Sequence, residues 1–384
     1  MLEFEPDRGF GIYVHWPYCA KICPYCDFNV YANKARDIEP LLQAIFDDLK
    51  GWRAKTGPRR LDTVFLGGGT PSLLPPDSVN RLLALIGDLW DIKPDIEITL
   101  EANPDDYLRF SGFADTGINR LSLGVQSLSD RDLKFLGRNH DVEMAHQAIQ
   151  AGRQCFDSLS LDFIYALPDQ SIEDWRSQLN EIVNLGADHL SLYELTIAQK
   201  TAFGKAVERG AWKPADDDVA ADLYELTQSR MIQAGYPAYE VSNHARDESH
   251  HAKHNIIYWR SGDWLGIGPG AHGRVTSDNQ RVETIAARRP QDYIRQVADT
   301  GQGVDHSQTL SIEDVANERL MMGMRMVSGM ARSDYESLNG RSISQHVLEE
   351  LKSAQLIEFN DNNIKLTSQG RLLADHICTR LILE

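Results

Sequence analysis

Along the first half of the chain, short runs of β-branched, aromatic and Leu residues alternate with longer segments whose apolar positions recur every three to four residues. The short runs fall at residues 11–15, 63–66, 97–101, 120–124, 160–165 and 189–193, each near Gly, Pro or Asn, and such runs predict strands. Helical spacing marks residues 39–52, 77–89, 142–153 and 172–185, with Asp77 placed to cap the second. Strands alternating with helices predict an α/β fold with a parallel sheet covered by helices. Six strands fit a partial (β/α)6, TIM-like barrel, where chemistry gathers at the C-terminal strand ends. The distinctive residues of this sequence do follow predicted strands.

The pattern changes near residue 310. Helices are followed by a helix over 343–354, a strand at 357–359, an Asn362-Asn363 turn and a strand at 364–366. This reads as a small C-terminal helical, winged-helix-like domain. The expected division is 1–240 for the barrel, 241–309 for a connecting segment and 310–384 for the C-terminal domain. No run of about 18 uncharged apolar residues is present, and Glu3, Glu5 and Asp7 replace the basic start of a signal peptide. A cytoplasmic protein is expected, with peripheral membrane association left open. A formal charge of -17 argues against broad binding to nucleic acid, which needs a dense Lys/Arg surface. The C-terminal domain is therefore read as a packing or interaction module.

Cysteine usage narrows the chemistry. Three of the five cysteines, Cys19, Cys23 and Cys26, fall within eight residues directly after the first strand, which points to metal binding rather than a disulfide framework. Pro17 and Pro24 restrict the loop that carries them. Three thiolates leave one iron of a cubane cluster free to take a small molecule. A structural zinc site would want a fourth Cys or His. Cys155 and Cys378 lie in apolar helical patterns and read as small buried hydrophobes.

The C-x3-C-x2-C spacing with Tyr25 before the last cysteine resembles the radical S-adenosylmethionine (SAM) superfamily. That resemblance implies a 4Fe-4S cluster on Cys19, Cys23 and Cys26, with SAM on the free iron and one-electron cleavage to a 5'-deoxyadenosyl radical. Further landmarks are Gly67-Gly68-Gly69-Thr70-Pro71, Glu101-Ala-Asn-Pro104, Gly124-Val-Gln126, Arg138 after Leu136-Gly137, and Asp162 ahead of Pro168. They stand in the order of the coproporphyrinogen oxidase-like branch. The resemblance implies SAM contacts from Tyr13, Tyr25, Gly68, Gly69, Thr70, Glu101, Gln126, Arg138 and Asp162. Glycines let a backbone approach closely, carboxylates suit ribose hydroxyls or an ammonium, and Arg suits a carboxylate.

That branch holds oxygen-independent coproporphyrinogen III oxidases and the HemW-like heme chaperones. The oxidase motif continues to a further cysteine, whereas Cys26 is followed by Asp27-Phe28-Asn29, and its extension before the motif is longer than the 18 residues here. Both features favour the HemW-like branch. His254-Asn255-Ile-Ile-Tyr258-Trp259 also resembles the HNxxYW element linked to heme binding in HemW-like proteins. His254 is then the first choice of axial ligand, with Tyr258 and Trp259 offering flat surface to the macrocycle. Alternatively, His254 and Asn255 hydrogen-bond a loop while Tyr258 and Trp259 pack in the core. The resemblance implies heme as cargo and heme-acceptor proteins; a low-potential electron donor such as a flavodoxin or ferredoxin is expected, and an exposed open cluster edge leaves a homodimer as one possible assembly. The rival reading is the oxidase, which decarboxylates propionates; methyltransferases and heme-degrading enzymes reuse the same core.

Overall fold

A computed structural model describes residues 2–32 and 37–383 of the chain. Strands β1 (Phe10–Trp16), β2 (Arg60–Gly68), β3 (Asp91–Ala102), β4 (Arg120–Gln126), β5 (Ser158–Tyr165) and β6 (His189–Glu194) pair in sequence order, all parallel. Strand β7 (Asn243–Ala245) runs antiparallel beside β6. The chain then returns to the other side of β1, where β8 (Asp263–Ile267) adds a further parallel strand. Strands β9 (His272–Ser277), β10 (Gln280–Ala286) and β11 (Val304–Thr309) extend that edge antiparallel. The order is β11-β10-β9-β8-β1-β2-β3-β4-β5-β6-β7, with no pairing between the two outer strands. The sheet is an open barrel.

Residues 241–309, expected as a connecting segment, are thus built into this sheet. The apolar run Trp264–Ile267 is enclosed beside β1, which places it among the long-range pairings that local pattern does not reveal.

The sheet shows why its interior becomes a site. In β4, β5 and β6, leucines at 121, 123, 159, 161, 190 and 192 alternate with Arg120, Ser122, Ser160, Asp162, His189 and Ser191. Alternation with period two sends the two sets to opposite faces. The leucines join the main hydrophobic core, each burial contributing about 1.5–3 kcal/mol. A one-residue slip would exchange the faces, so the leucines also fix the register. Barrel interiors are ordinarily filled by Val, Ile and Leu; here the inward set is polar.

Helices α1 (Glu39–Thr56), α2 (Pro76–Leu89), α3 (Val142–Cys155) and α4 (Ile172–Leu185) cover the outer face. Asp77 is not the cap of α2: the helix starts at Pro76, whose fixed φ suits the first position, and Asp77 sits in the first turn. Helix α4 carries a reciprocal Ser171–Asp174 capping box and ends on left-handed Gly186. Cys155, at the end of α3, is only half-buried, whereas Cys378 is buried.

The short helix α5 (Lys253–Trp259) closes the N-terminal end of the barrel. No side chain of its own caps it. Glu97 of β3 does so instead, accepting from the amides of Lys253 and His254, each at 3.0 Å. Beyond the sheet, α6 (Ile312–Gly323), α7 (Gln345–Ser353), α8 (Ala374–Leu383) and a three-stranded sheet at 330–331, 357–359 and 363–366 enclose a separate core around Leu320, Tyr335, Leu348, Ile364 and Ile377. Among the described residues, no helix is long and apolar enough to cross a membrane.

Candidate functional site

The cysteine loop leaves β1 at Pro17 and is closed by a short parallel pairing of Tyr18–Cys19 with Tyr31–Ala32. A turn joins the Cys26 amide to the Cys23 carbonyl at 3.1 Å. Below the loop, a cavity of about 600 Å³ runs into the barrel and is lined by all three cysteines together with residues of β2 to β6. Burial pushes the Cys26 thiol up to about 11 and raises that of Cys19.

Arg138 meets this loop from the opposite side. Gly137 makes the approach possible: its φ is 72°, and a Cβ there would stand 2.7 Å from Pro24 Cδ. The guanidinium donates to Cys23 Sγ at 3.5 Å, Tyr25 Oη at 3.4 Å, the Gly124 carbonyl at 2.9 Å and Asn103 Oδ1. Arg138 was expected to hold a ligand carboxylate, yet its donors are directed to protein acceptors that tie the cysteine loop to the strand ends.

The glycine run behaves similarly. A Cβ on Gly68, where φ is 102°, would lie 2.4 Å from the His15 ring, and one on Gly69 would lie 2.7 Å from the Tyr18 carbonyl. These glycines are needed first for packing against β1 and the cysteine loop. Their other side lines the cavity with Thr70. The Gly68 amide donates to Glu101 Oε2 at 2.9 Å, and burial pushes the Glu101 carboxyl up to about 8 despite that bond. Asp162 accepts from Ser122 at 2.8 Å and Ser160 at 3.3 Å, and its pKa is likewise raised by burial. Gln126 has a left-handed backbone, φ 71°, a conformation uncommon outside glycine that holds its side chain at the cavity wall.

Of the residues anticipated around SAM, Tyr25, Gly68, Gly69, Thr70, Glu101, Gln126, Arg138 and Asp162 line this cavity, and Tyr13 does not. The Tyr13 hydroxyl is bonded to His15 Nδ1 at 2.9 Å, and its ring packs beside Phe65 and His254.

His254, the expected axial ligand of heme, lies inside the barrel. It is 1% exposed and both nitrogens are taken, Nδ1 by Thr63 Oγ1 at 2.6 Å and Nε2 by Tyr258 Oη at 2.7 Å. Its ring stacks on Phe65 at 5.2 Å, and burial pushes its pKa down to about 3. In this geometry both ring nitrogens are engaged within the protein. The motif splits: Asn255 faces the main cavity, while Trp259 lines a second cavity beneath the barrel.

Sequence reading missed the polar floor of the main cavity, formed by Thr99, Arg120, Ser122, Ser160, His189 and Ser191. A signal existed: polar residues alternate with leucines in strands that are parallel neighbours. A parallel sheet has both faces covered, so polar inward positions mark a site rather than a solvated face.

An open parallel barrel with a three-cysteine loop over its C-terminal end defines the class. The Radical SAM superfamily signature matches residues 13–182, and the HemN C-terminal domain signature matches 310–373. The chain is 34% identical to the heme chaperone HemW of Escherichia coli over 100% of both chains. It is 31% identical to HemW of Bacillus subtilis, covering 95% of this chain and 97% of that one. Radical S-adenosyl methionine domain-containing protein 1, mitochondrial, of Danio rerio is 33% identical, with 97% and 87% covered. The coproporphyrinogen III oxidase HemN of Escherichia coli superposes with a TM-score of 0.81 at 23% identity over 99% of this chain and 91% of that one, a likeness of fold. The chain belongs to the HemW family of radical SAM proteins. Membership in the superfamily implies a 4Fe-4S cluster and SAM.

Proposed function

We propose that the protein is a heme chaperone which binds heme and delivers it to acceptor proteins, carrying a 4Fe-4S cluster on Cys19, Cys23 and Cys26 and SAM in the cavity below. The observation that carries the reading is similarity to HemW along the whole chain, and Asp27-Phe28-Asn29 after Cys26, in place of a further cysteine, supports it over the oxidase.

The cavity fits the cofactors. Among the described residues, no three metal-binding side chains converge as the ligands of one ion do, but a cubane needs each thiolate at a different iron. Arg138 sets a positive charge 3.5 Å from Cys23 Sγ, beside the loop that would carry the cluster. The cluster with SAM supplies one-electron radical chemistry when both are bound. Glu101, whose carboxyl holds its proton to about pH 8, ionises when a cationic ammonium arrives beside it. Asp162 is held by the hydroxyls of Ser122, Ser160 and Ser191 and lines the cavity. Exposed Ile22 and Phe28 beside the cysteines suit a low-potential electron donor docking over the loop, since apolar patches mark contact surfaces.

The test incubates anaerobically reconstituted protein with SAM, a low-potential reductant and coproporphyrinogen III, and titrates the same preparation with hemin. Stoichiometric hemin binding without decarboxylated product is the expected result. Catalytic turnover to the doubly decarboxylated porphyrinogen would replace this reading with the oxidase.

A further inference from the structure

Behind Asp162, the polar floor of the main cavity is a continuous chain of hydrogen bonds. Ser160 Oγ lies 3.3 Å from Asp162 Oδ1 and 2.7 Å from His189 Nδ1, and His189 Nε2 lies 2.8 Å from Tyr239 Oη. Ser160 and His189 are paired neighbours on β5 and β6, each 1% exposed. Tyr239, just before β7, is fixed from outside the barrel. Its ring stacks on His251 with centroids 4.0 Å apart, and its carbonyl accepts from the Val327 amide of the C-terminal portion at 3.0 Å.

The outer end sets the direction of the hydrogens. Tyr239 Oη accepts the Ala252 amide at 3.2 Å, and its own proton has one acceptor among the described residues, His189 Nε2. Burial and the charge of Arg120 keep the imidazole neutral, so accepting at Nε2 puts the ring proton on Nδ1. Nδ1–H then donates to Ser160, whose hydroxyl is left to donate onward, to Asp162 or to Ser191 at 3.4 Å. Ser191 itself bonds Asp162, so the chain ends on the carboxylate by either route. Ser122 adds a third hydroxyl at 2.8 Å. The other groups facing Asp162 are Arg120 of β4, Glu101 of β3 and the Tyr193 phenol of β6. Those facing His189 are Arg120, His244, His250 and His251, and those facing Tyr239 are Glu240, Arg120 and Glu97. An ionised carboxylate only accepts, so donors gathered on it favour that form against burial. Without the Tyr239 hydroxyl, His189 is free to take the other tautomer. Nδ1 would then accept, and Ser160 would turn its proton to the nearer ring nitrogen and away from Asp162.

Resting on the placement of SAM in this cavity, we propose that His189 and Tyr239 are positioning residues for Asp162: by fixing the imidazole tautomer they turn the Ser160 hydroxyl onto the carboxylate and keep it an acceptor for a hydroxyl or ammonium donor of SAM. His189 acts through Ser160, and Tyr239 through His189. A residue that merely filled the barrel would need neither the Tyr239 hydroxyl nor one particular tautomer.

The test is calorimetric titration of the cluster-loaded protein with SAM across a range of pH, with melting followed by circular dichroism. Tyr239→Phe and Ser160→Ala each weaken SAM about fivefold at pH 7, part of the effect of one hydrogen bond to a charged group. Ser160→Ala leaves the bond from Ala252 to Tyr239 in place, so agreement of the two variants separates the chain from a shift of α5. Both losses shrink as pH rises and the carboxylate ionises regardless. His189→Asn, whose amide donates from the Nδ1 position, stays within about twofold of wild type, whereas His189→Gln, whose amide falls at the Nε2 position, behaves like Tyr239→Phe. In an Asp162→Asn background Tyr239→Phe changes SAM affinity less than about twofold, because the two act on one interaction. Wild-type affinity in Tyr239→Phe, the same loss in both backgrounds, or equal losses in the two His189 variants that follow their melting would overturn the proposal while leaving SAM in the cavity. Failure of the wild-type protein to bind SAM would instead overturn the placement of SAM on which it rests.

Discussion

Replacing His254 with Ala tests whether this residue holds heme or holds the barrel together. In the structure the imidazole joins Thr63 to Tyr258 with bonds of 2.6 and 2.7 Å and fills space against Phe65. Truncation leaves a cavity and strands two hydroxyl partners. Aromatic-to-Ala cavities in cores cost about 3–5 kcal/mol, and each unsatisfied buried polar group about 1–3 kcal/mol. Partial relaxation, and access of water to Tyr258, offset some of this, so a loss of about 3–5 kcal/mol is expected. Urea unfolding followed by far-ultraviolet circular dichroism measures it as a lower midpoint at unchanged slope. In the same preparation, hemin affinity of the folded protein stays within about twofold of wild type. A stability loss under about 1 kcal/mol, combined with more than tenfold weaker hemin binding, would refute the argument and return His254 to the heme. The pH dependence supplies a second check. The native pKa of about 3 lies below the ordinary 6.5, so the unfolded chain binds the proton first. Stability is therefore full above pH 6.5 and falls as pH drops toward 3, by about 1.4 kcal/mol per unit at most. His254→Gln removes that contribution.

Cys23→Ser is expected to lose most cluster absorbance near 400 nm after anaerobic reconstitution, while Cys378→Ser, in the C-terminal core, loads iron and sulfide normally; full loading of the first variant would remove Cys23 from the ligand set. Asp48 acts with the opposite pH sign to His254: burial raises its pKa to about 6 despite bonds from Tyr293 and Gly303. Its contribution is full below about pH 3.8 and lost as pH rises through 6, up to about 3 kcal/mol, so Asp48→Asn should flatten the stability profile between those values. Glu97→Gln keeps one acceptor but withdraws the charge at the start of α5, and amide hydrogen exchange at residues 252–260 should quicken by about tenfold, equivalent to about 1.4 kcal/mol; unchanged exchange would show that Glu97 does not hold the helix.

The strand–helix alternation and the cysteine loop are legible in the order of residues alone. Leucine periodicity in β4 to β6 decides which face packs against helices, and C-x3-C-x2-C after an apolar strand places three thiols on one turn, because both are effects of near neighbours. The C-terminal strand–turn–strand is legible for the same reason. The place of β8 emerges only once the chain is folded, since its partner, β1, lies some 250 residues earlier. The fates of Arg138 and His254 were likewise out of reach. One guanidinium is bound by Cys23, Tyr25, Asn103 and Gly124 from distant parts of the chain, and one imidazole is enclosed by Thr63, Phe65 and Tyr258. A side chain's type tells what chemistry it can perform; which of its atoms remain free is set by long-range packing, which fills some hydrogen-bonding positions and leaves others, such as those around Trp259, without partners.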